Sequence, residues 1–402
     1  MSTVFMDRRD VLKASVAGAA VIGVGSKRGV AADLDSATDV DGQMGADLGD
    51  KQPVLACLYD YEAAAKQKML AAAWEYFNSG SADEITVRRN REALDALELK
   101  PRVLVDVTRI DTSCTVLGHK LPHPILLAPT SSHFLVHPEA ETETARGAGA
   151  AETIMVASTV SNRSIEDICK ASHGPIWFQL YPEDDRKAVQ ALIERAEAAG
   201  CKALCITVDV PVLYARNRED RIRAQSPQLP FPNLGSEARP GASGGRVRRH
   251  FNWADLGWIQ SFAKTPILLK GILNPDDADE AVKCGVAGIV VSNHGGRALD
   301  TLPATIEVLP AVVDRVAGRV PVLFDSGIRR GTDVLKALGH GASAVLIGRP
   351  YLYGLSVAGA DGVRDVVNIL RSELEAAMAL MGRTRLSEID RSIFWKSRDY
   401  SS

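Results

Sequence analysis

The run Ser292-Asn293-His294-Gly295-Gly296-Arg297 places an imidazole three residues before a guanidinium, directly after an apolar segment. An imidazole can take up a proton near neutral pH, and an arginine beside it can hold an anion through two hydrogen bonds. The combination suits a base acting on a substrate that carries a negative group. Asp209 is the carboxylate best placed to orient that imidazole, although a helix-capping role is also open to it. From its chemistry alone Lys270 has three readings: a Schiff-base amine, a counter-charge to an anionic ring, or half of a structural ion pair. Gly327 with Arg329, and Gly348 with Arg349, combine close backbone approach with a guanidinium, the pairing a phosphate monoester needs.

These residues need a scaffold that brings them together, and the chain supplies a repeat. Short apolar runs recur at 125–128, 154–157, 176–179, 203–207, 267–270, 288–291, 322–325 and 344–347, with helix-spaced segments such as 184–199 and 331–338 between them. Several runs begin after Pro (Pro124, Pro175, Pro266, Pro321) or after Gly-x-x-x (Gly200, Gly285, Gly341). Eight continuous apolar strands, buried on both faces, predict an α/β fold of the (β/α)8 TIM barrel type. A doubly wound open sheet is the rival, disfavoured because no G-x-G-x-x-G follows the first strand. Barrel chemistry sits past the carboxyl ends of the strands. Those ends carry Pro129-Thr130-Ser131, Ser158-Thr159, Gln179-Leu180-Tyr181, Thr207-Val208-Asp209, Lys270-Gly271, the His294 run, Asp325-Ser326-Gly327-Ile328-Arg329 and Gly348-Arg349-Pro350. Polar and ionisable groups thus converge on one face.

Residues 58–73 read as an N-terminal helical extension that continues into Trp74-Glu75-Tyr76-Phe77 and stops at Asn78-Ser79-Gly80. Between Asp209 and Lys264 lies a connection too long for one crossover, rich in Pro, Gly and Arg over 227–249, which predicts a mobile flap.

The 402 residues accommodate such a barrel with appendages, and 46% hydrophobic with 24% charged residues is the composition of a globular enzyme. A net charge of -3 speaks against nucleic acid as a partner. The six cysteines form no CxxC pair and lie at no metal-ligand spacing, so they read as small core residues and no metal is expected. Arg8-Arg9-Asp10 precedes a mildly apolar Ala/Gly-rich run, so residues 1–32 read as a twin-arginine signal peptide, and the acidic, Gly-rich stretch 33–52 as a linker to a domain over 53–402. That predicts export to the periplasm, or a cytoplasmic protein if the leader is not a signal.

The stretch from Ser292 through Ala298-Leu299-Asp300 resembles the active-site signature of the FMN-dependent L-2-hydroxy acid oxidases and dehydrogenases, the family of glycolate oxidase, lactate oxidase and flavocytochrome b2. The resemblance runs from about Tyr59 to Ser392. It implies FMN as cofactor and oxidation of a small L-2-hydroxy acid to the 2-oxo acid, with electrons passed to oxygen, a quinone or a cytochrome. A lactate-type 2-monooxygenase, or a flavin-binding protein without turnover, are the alternatives. By the same resemblance His294 is the base and Asp209 its partner; Arg216 and Arg297 hold the substrate carboxylate, and Tyr76 and Tyr181 hydrogen-bond the substrate. Lys270 matches the lysine beside the flavin ring, which decides among its three readings. Thr130, Ser158, Gln179, Thr207 and Ser292 match flavin contacts, and Asp325, Gly327, Arg329, Gly348 and Arg349 the ribityl phosphate cradle. The resemblance also implies a homo-oligomer, usually a tetramer. Two departures stand out: Val160 replaces an aromatic residue, which reshapes the pocket wall and puts glycolate preference in doubt, and Ser131 replaces a common alanine, adding a hydroxyl near the flavin.

Overall fold

The computed structural model of the protein describes residues 54–212, 214–234 and 251–395. The signal and linker segments, and residues 235–249 of the loop read as a flap, lie outside them.

Eight parallel strands close into a barrel: β1 (Ile125–Leu127), β2 (Met155–Ser158), β3 (Ile176–Leu180), β4 (Leu204–Thr207), β5 (Ile267–Ile272), β6 (Gly288–Val291), β7 (Val322–Asp325) and β8 (Ala344–Ile347). Closure is made by β8 pairing β1, with Val345 opposite Ile125 and Ile347 opposite Leu127. Each strand coincides with an apolar run of the sequence. Period-two alternation sorts the side chains of these runs between two cores. Ile125, Phe178, Leu269, Val291 and Phe324 face the surrounding helices, while Leu126, Trp177, Cys205, Leu268, Val290, Leu323 and Leu346 fill the barrel. Stepping two residues further along the inward register reaches Gln179, Thr207, Lys270, Ser292, Asp325 and Gly348. The alternation that packs the interior therefore also sets a polar layer at the carboxyl end.

The helices follow the strands: α4 (Ala140–Ala150), α5 (Ile165–Ala171), α6 (Arg186–Ala198), α7 (Asn217–Ile222) and α8 (Trp253–Gln260) within the long connection, α9 (Pro275–Lys283), α10 (Thr305–Val316), α11 (Gly331–Gly339) and α12 (Arg349–Leu380), which is broken into two by a kink at Ala358-Gly359. Their starts obey local chemistry: Asp185 caps α6 by accepting from the N–H groups of Lys187 and Ala188, and Asn274 caps α9 ahead of Pro275. The amino end of the barrel is plugged by a hairpin that the sequence reading lacks, Cys114–Val116 against His119–Leu121. Leu117 and Gly118 turn it with φ of 44° and 81°, and Val116 and Leu121 join the interior cluster.

The N-terminal extension corrects the single helix expected over 58–73. It is two helices, α1 (Leu58–Lys68) and α2 (Ala71–Asn78), followed by α3 (Ile85–Asp95). Met69 and Leu70 take extended backbone, with ψ of 143° and 146°. The break buries Met69 and redirects the chain, so that α2 presents Tyr76 and Phe77 to the barrel mouth. No Gly or Pro marks it, because the turn is set by packing rather than by local propensity.

Candidate active site

Three consecutive residues past β6 have left-handed backbone, His294 at φ 58°, Gly295 at 65° and Gly296 at 73°. Glycine adopts this region without penalty; at His294 the conformation is held by its own N–H, which donates to Ser292 Oγ at 3.0 Å. The turn aims the imidazole into the cavity at the carboxyl end of the barrel. Its Nδ1 lies 3.0 and 3.3 Å from the two carboxylate oxygens of Asp209, so Nδ1 carries the proton and Nε2 is left basic. Tyr181 Oη stands 3.5 Å from that Nε2. Asp209 can reach the ring because β5 bulges at Gly271, where a Cβ would lie 2.5 Å from the Asp209 side chain.

Burial pushes the His294 imidazole below its ordinary value, with Asp209 offsetting part of the fall. Burial alone would raise the Asp209 carboxyl, but His294 and Lys270 beside it hold it below the usual carboxylate range. At neutral pH the pair is therefore a carboxylate and a neutral imidazole, the state a base requires. Lys270 is buried in the same wall, donates to Ser292 Oγ at 3.0 Å and lies 3.4 Å from Asp325. Burial would lower it, but Asp325 and Asp209 outweigh that and raise it, so Lys270 stays charged. A Schiff base needs a free amine, so a charged Lys270 leaves the counter-charge and ion-pair readings, and the contact with Asp325 is itself an ion pair.

Arg216, just before α7, and Arg297 both line the cavity, and Glu219 bridges them at 3.3 and 3.7 Å. Arg218 turns away to pair with Glu75 at 2.7 Å and Glu84 at 3.1 Å, which fastens the long connection to α2 and α3. Burial, together with Arg216 and Arg349 nearby, pulls the Arg297 guanidinium down to about 9, the mark of a cation cluster short of anions. Tyr76 lies under Arg297, whose guanidinium sits 5.5 Å from its ring centre, and its hydroxyl is 2.5 Å from Ser131 Oγ. The Ser131 hydroxyl thus serves a tyrosine here.

On the opposite side Asp325, Gly327, Arg329, Gly348 and Arg349 border the same cavity. Arg329 pairs with Glu62 at 3.3 Å, while Arg349 is satisfied by backbone carbonyls of Phe77, Ser79 and Gly295. At Gly348 a Cβ would make ordinary contacts, 3.7 Å to Thr130 and 3.9 Å to Ala128. Thr130 and Ser158 also border the cavity, whereas Gln179, Thr207, Ser292 and Asp209 stand behind its wall. Gln179 links Ser158 and Thr207, at 3.1 and 3.0 Å. Sequence reasoning did not single out Phe77, Glu219 or the clasp made by Asn90 and Asp300. Asn90 and Asn293 exchange amide hydrogen bonds of 2.9 and 2.7 Å, and Asp300 accepts from the N–H groups of Asp83, Ile85 and Thr86. Asp300 closes the His294 signature, and its place there is the one signal that could have pointed to it.

The cavity has a volume of about 150 Å³ and is partly open to solvent. Its wall offers a buried lysine, part-buried guanidinium groups and a glycine. That donor set fits a cofactor with a phosphate at one end and a polar ring at the other. The sequence pattern of the FMN-dependent dehydrogenases matches residues 65–396.

The chain belongs to that family.

It is an FMN-dependent oxidoreductase. Among its relatives, an L-lactate oxidase of Nostoc sp. is 46% identical over 83% of this chain and 96% of its own length. Glycolate oxidase 1 of Oryza sativa subsp. indica is 44% identical over 85% and 95%. A solved mandelate oxidase variant with (S)-mandelic acid superposes with a TM-score of 0.79 at 37% identity, covering 84% of this chain and 97% of that one. Lys270, Thr130, Ser158, Gly348, Arg329 and Arg349 line the cavity and are the groups that could hold FMN there.

Proposed function

We propose that this enzyme oxidises a small L-2-hydroxy acid to the 2-oxo acid, with His294 as the base. The observation that carries the reading is the His294 ring, fixed at Nδ1 by Asp209 and exposing Nε2 to a cavity that Arg216 and Arg297 also enter. The two arginines bind the substrate carboxylate, and Tyr76 and Tyr181 orient the hydroxyl end, so binding fixes the reacting carbon beside the base. His294 Nε2 accepts a proton of the CH–OH group, and Asp209 stabilises the imidazolium that results. FMN, when bound, supplies the two-electron acceptor. Lys270 keeps a positive charge in the wall against which negative charge develops.

The side chain at residue 160 bears on substrate size. Val160 is tied only through its backbone, its N–H donating to Ser158 Oγ at 3.1 Å, and its side chain is not part of the cavity wall. A wall without an aromatic there favours a substrate longer than glycolate, such as lactate or a higher 2-hydroxy acid. Arg8 and Arg9 ahead of an Ala/Gly-rich run support export to the periplasm, and with it a quinone or cytochrome as electron acceptor in preference to oxygen. Anaerobic mixing of the yellow holoprotein with glycolate, L-lactate, (S)-mandelate and longer L-2-hydroxy acids tests the proposal. Bleaching of the flavin absorbance by lactate or a longer acid, faster than by glycolate, is expected; a flavin left unbleached by every acid would sink it.

A further inference from the structure

The six cysteines read from sequence as scattered core residues, but folding brings two of them together. Cys169, in the last turn of α5, and Cys201, between Gly200 and the start of β4, have their Sγ atoms 3.6 Å apart across 32 residues of sequence. Both lie at the amino end of the barrel, opposite the catalytic cavity. Cys201 is buried and Cys169 is half-buried, so an outside reagent meets Cys169 first. We propose that Cys169 and Cys201 form a redox-active dithiol that closes to an intramolecular disulfide on exchange with a low-molecular-weight disulfide.

The two thiols have the division of labour such a pair needs. Either S–H can donate across the contact; a Cys201 S–H given to Cys169 favours the thiolate on the more accessible sulfur, while burial keeps Cys201 protonated. The Cys169 thiolate attacks one sulfur of the reagent disulfide, forming a mixed disulfide and expelling one reagent thiolate. Cys201, losing its proton, then attacks Cys169 Sγ and expels the second reagent thiolate. The enzyme loses two electrons and two protons, and the reagent disulfide is reduced to two thiols. Closing a 3.6 Å contact to an S–S bond of about 2.0 Å needs side-chain rotation and little backbone movement. The bond would fasten the helix that follows β2 to the strand that follows β3, far from His294.

The test treats the native holoenzyme with oxidised glutathione, alkylates the remaining thiols and maps the peptides by mass spectrometry. The expected product is a Cys169–Cys201 cross-linked peptide with two of the six thiols lost. A Tm raised by about 5 °C should accompany it, with kcat/KM changed less than about twofold. In Cys201→Ser the resolving thiol is gone, and Cys169 should accumulate as a stable mixed disulfide with glutathione. Full alkylation of both residues after oxidation of the parent protein, or a Cys201→Ser chain that takes up no glutathione at Cys169, would overturn the proposal.

Discussion

Arg297 and Arg349 lean on the same backbone: Arg297 Nη1 donates to the Ser79 carbonyl at 2.8 Å and Arg349 Nη2 donates to it at 3.2 Å, and both also reach the Phe77 carbonyl. Two cations assigned to different ligands, the substrate carboxylate and the cofactor phosphate, are thus held at the carboxyl end of α2, where the helix dipole and free carbonyls favour positive charge. Carbonyls are neutral acceptors, and the nearby carboxylate, Glu219 at 3.7 Å from Arg297, is shared with Arg216, so the cluster keeps an excess of positive charge until anions arrive. FMN-stripped protein should accordingly gain thermal stability from inorganic phosphate or oxalate. A ligand at about 100 times its Kd adds about 2.7 kcal/mol. Arg349→Met should lose the phosphate response and bind FMN about 10–100-fold more weakly, as expected for one charge-assisted contact. Quenching of FMN fluorescence on titration reads the affinity, and an unchanged Kd would contradict the assignment.

The Tyr76 phenol is held by two hydroxyls, Ser131 Oγ at 2.5 Å and Ser132 Oγ, which donates to it at 3.2 Å. Replacing Ser131 by Ala removes one hydrogen bond of about 0.5–1.5 kcal/mol and leaves the aromatic contact with Arg297 in place. KM should rise about 2–10-fold with kcat little changed, in steady-state assays on the preferred acid. An effect on kcat alone would mean that Ser131 acts on the chemical step instead.

The pH dependence follows from the environment of His294. The base works when neutral, so kcat/KM rises as pH climbs through the imidazole pKa of the free enzyme and then levels. Because burial sets that pKa below the ordinary 6.5, the acid limb should lie below pH 6.5. Asp209 raises the pKa, so Asp209→Asn should move the limb to still lower pH. The same variant should lower the plateau by about 10²–10⁴-fold, since the imidazolium loses its counter-charge and its tautomer is no longer fixed. A pH profile of kcat/KM for both proteins shows whether the limb moves in this direction.

Asp300 supports the site from behind. It takes three backbone N–H groups at the start of α3. Asp300→Ala would leave the buried N–H of Thr86 without a partner, while those of Asp83 and Ile85 can turn to water, at a cost of about 1–3 kcal/mol. Denaturant unfolding should show that loss. A midpoint equal to that of the parent protein would show that α3 is held by other contacts.

Much of this arrangement was legible because one physical rule governs it. Strands buried on both faces must be apolar, and the runs beginning at Pro124, Pro175, Pro266 and Pro321, among others, mark the barrel strands to within two residues. The same inward register then leads to Lys270, Ser292 and Asp325. Features fixed by packing left no such trace. The break at Met69-Leu70 carries no helix breaker, and the hairpin at 114–121 has strands of three residues. Arg216 and Arg218 differ in role although they are alike in type and two residues apart: one enters the cavity, and the other is captured by Glu75 and Glu84. Composition could not have separated them; only the partners brought by α2 and α3 do.

The most direct test of His294 as the base is the rate of flavin bleaching in a single anaerobic turnover. FMN-loaded His294→Gln is mixed in a stopped-flow instrument with the acid that bleaches the parent protein fastest. Glutamine keeps a polar group of similar reach and cannot take the proton, so the flavin should remain bound, with its spectrum intact. Its reduction should slow by about 10²–10⁴-fold. A rate within a few-fold of the parent protein, at equal flavin content, would contradict the account.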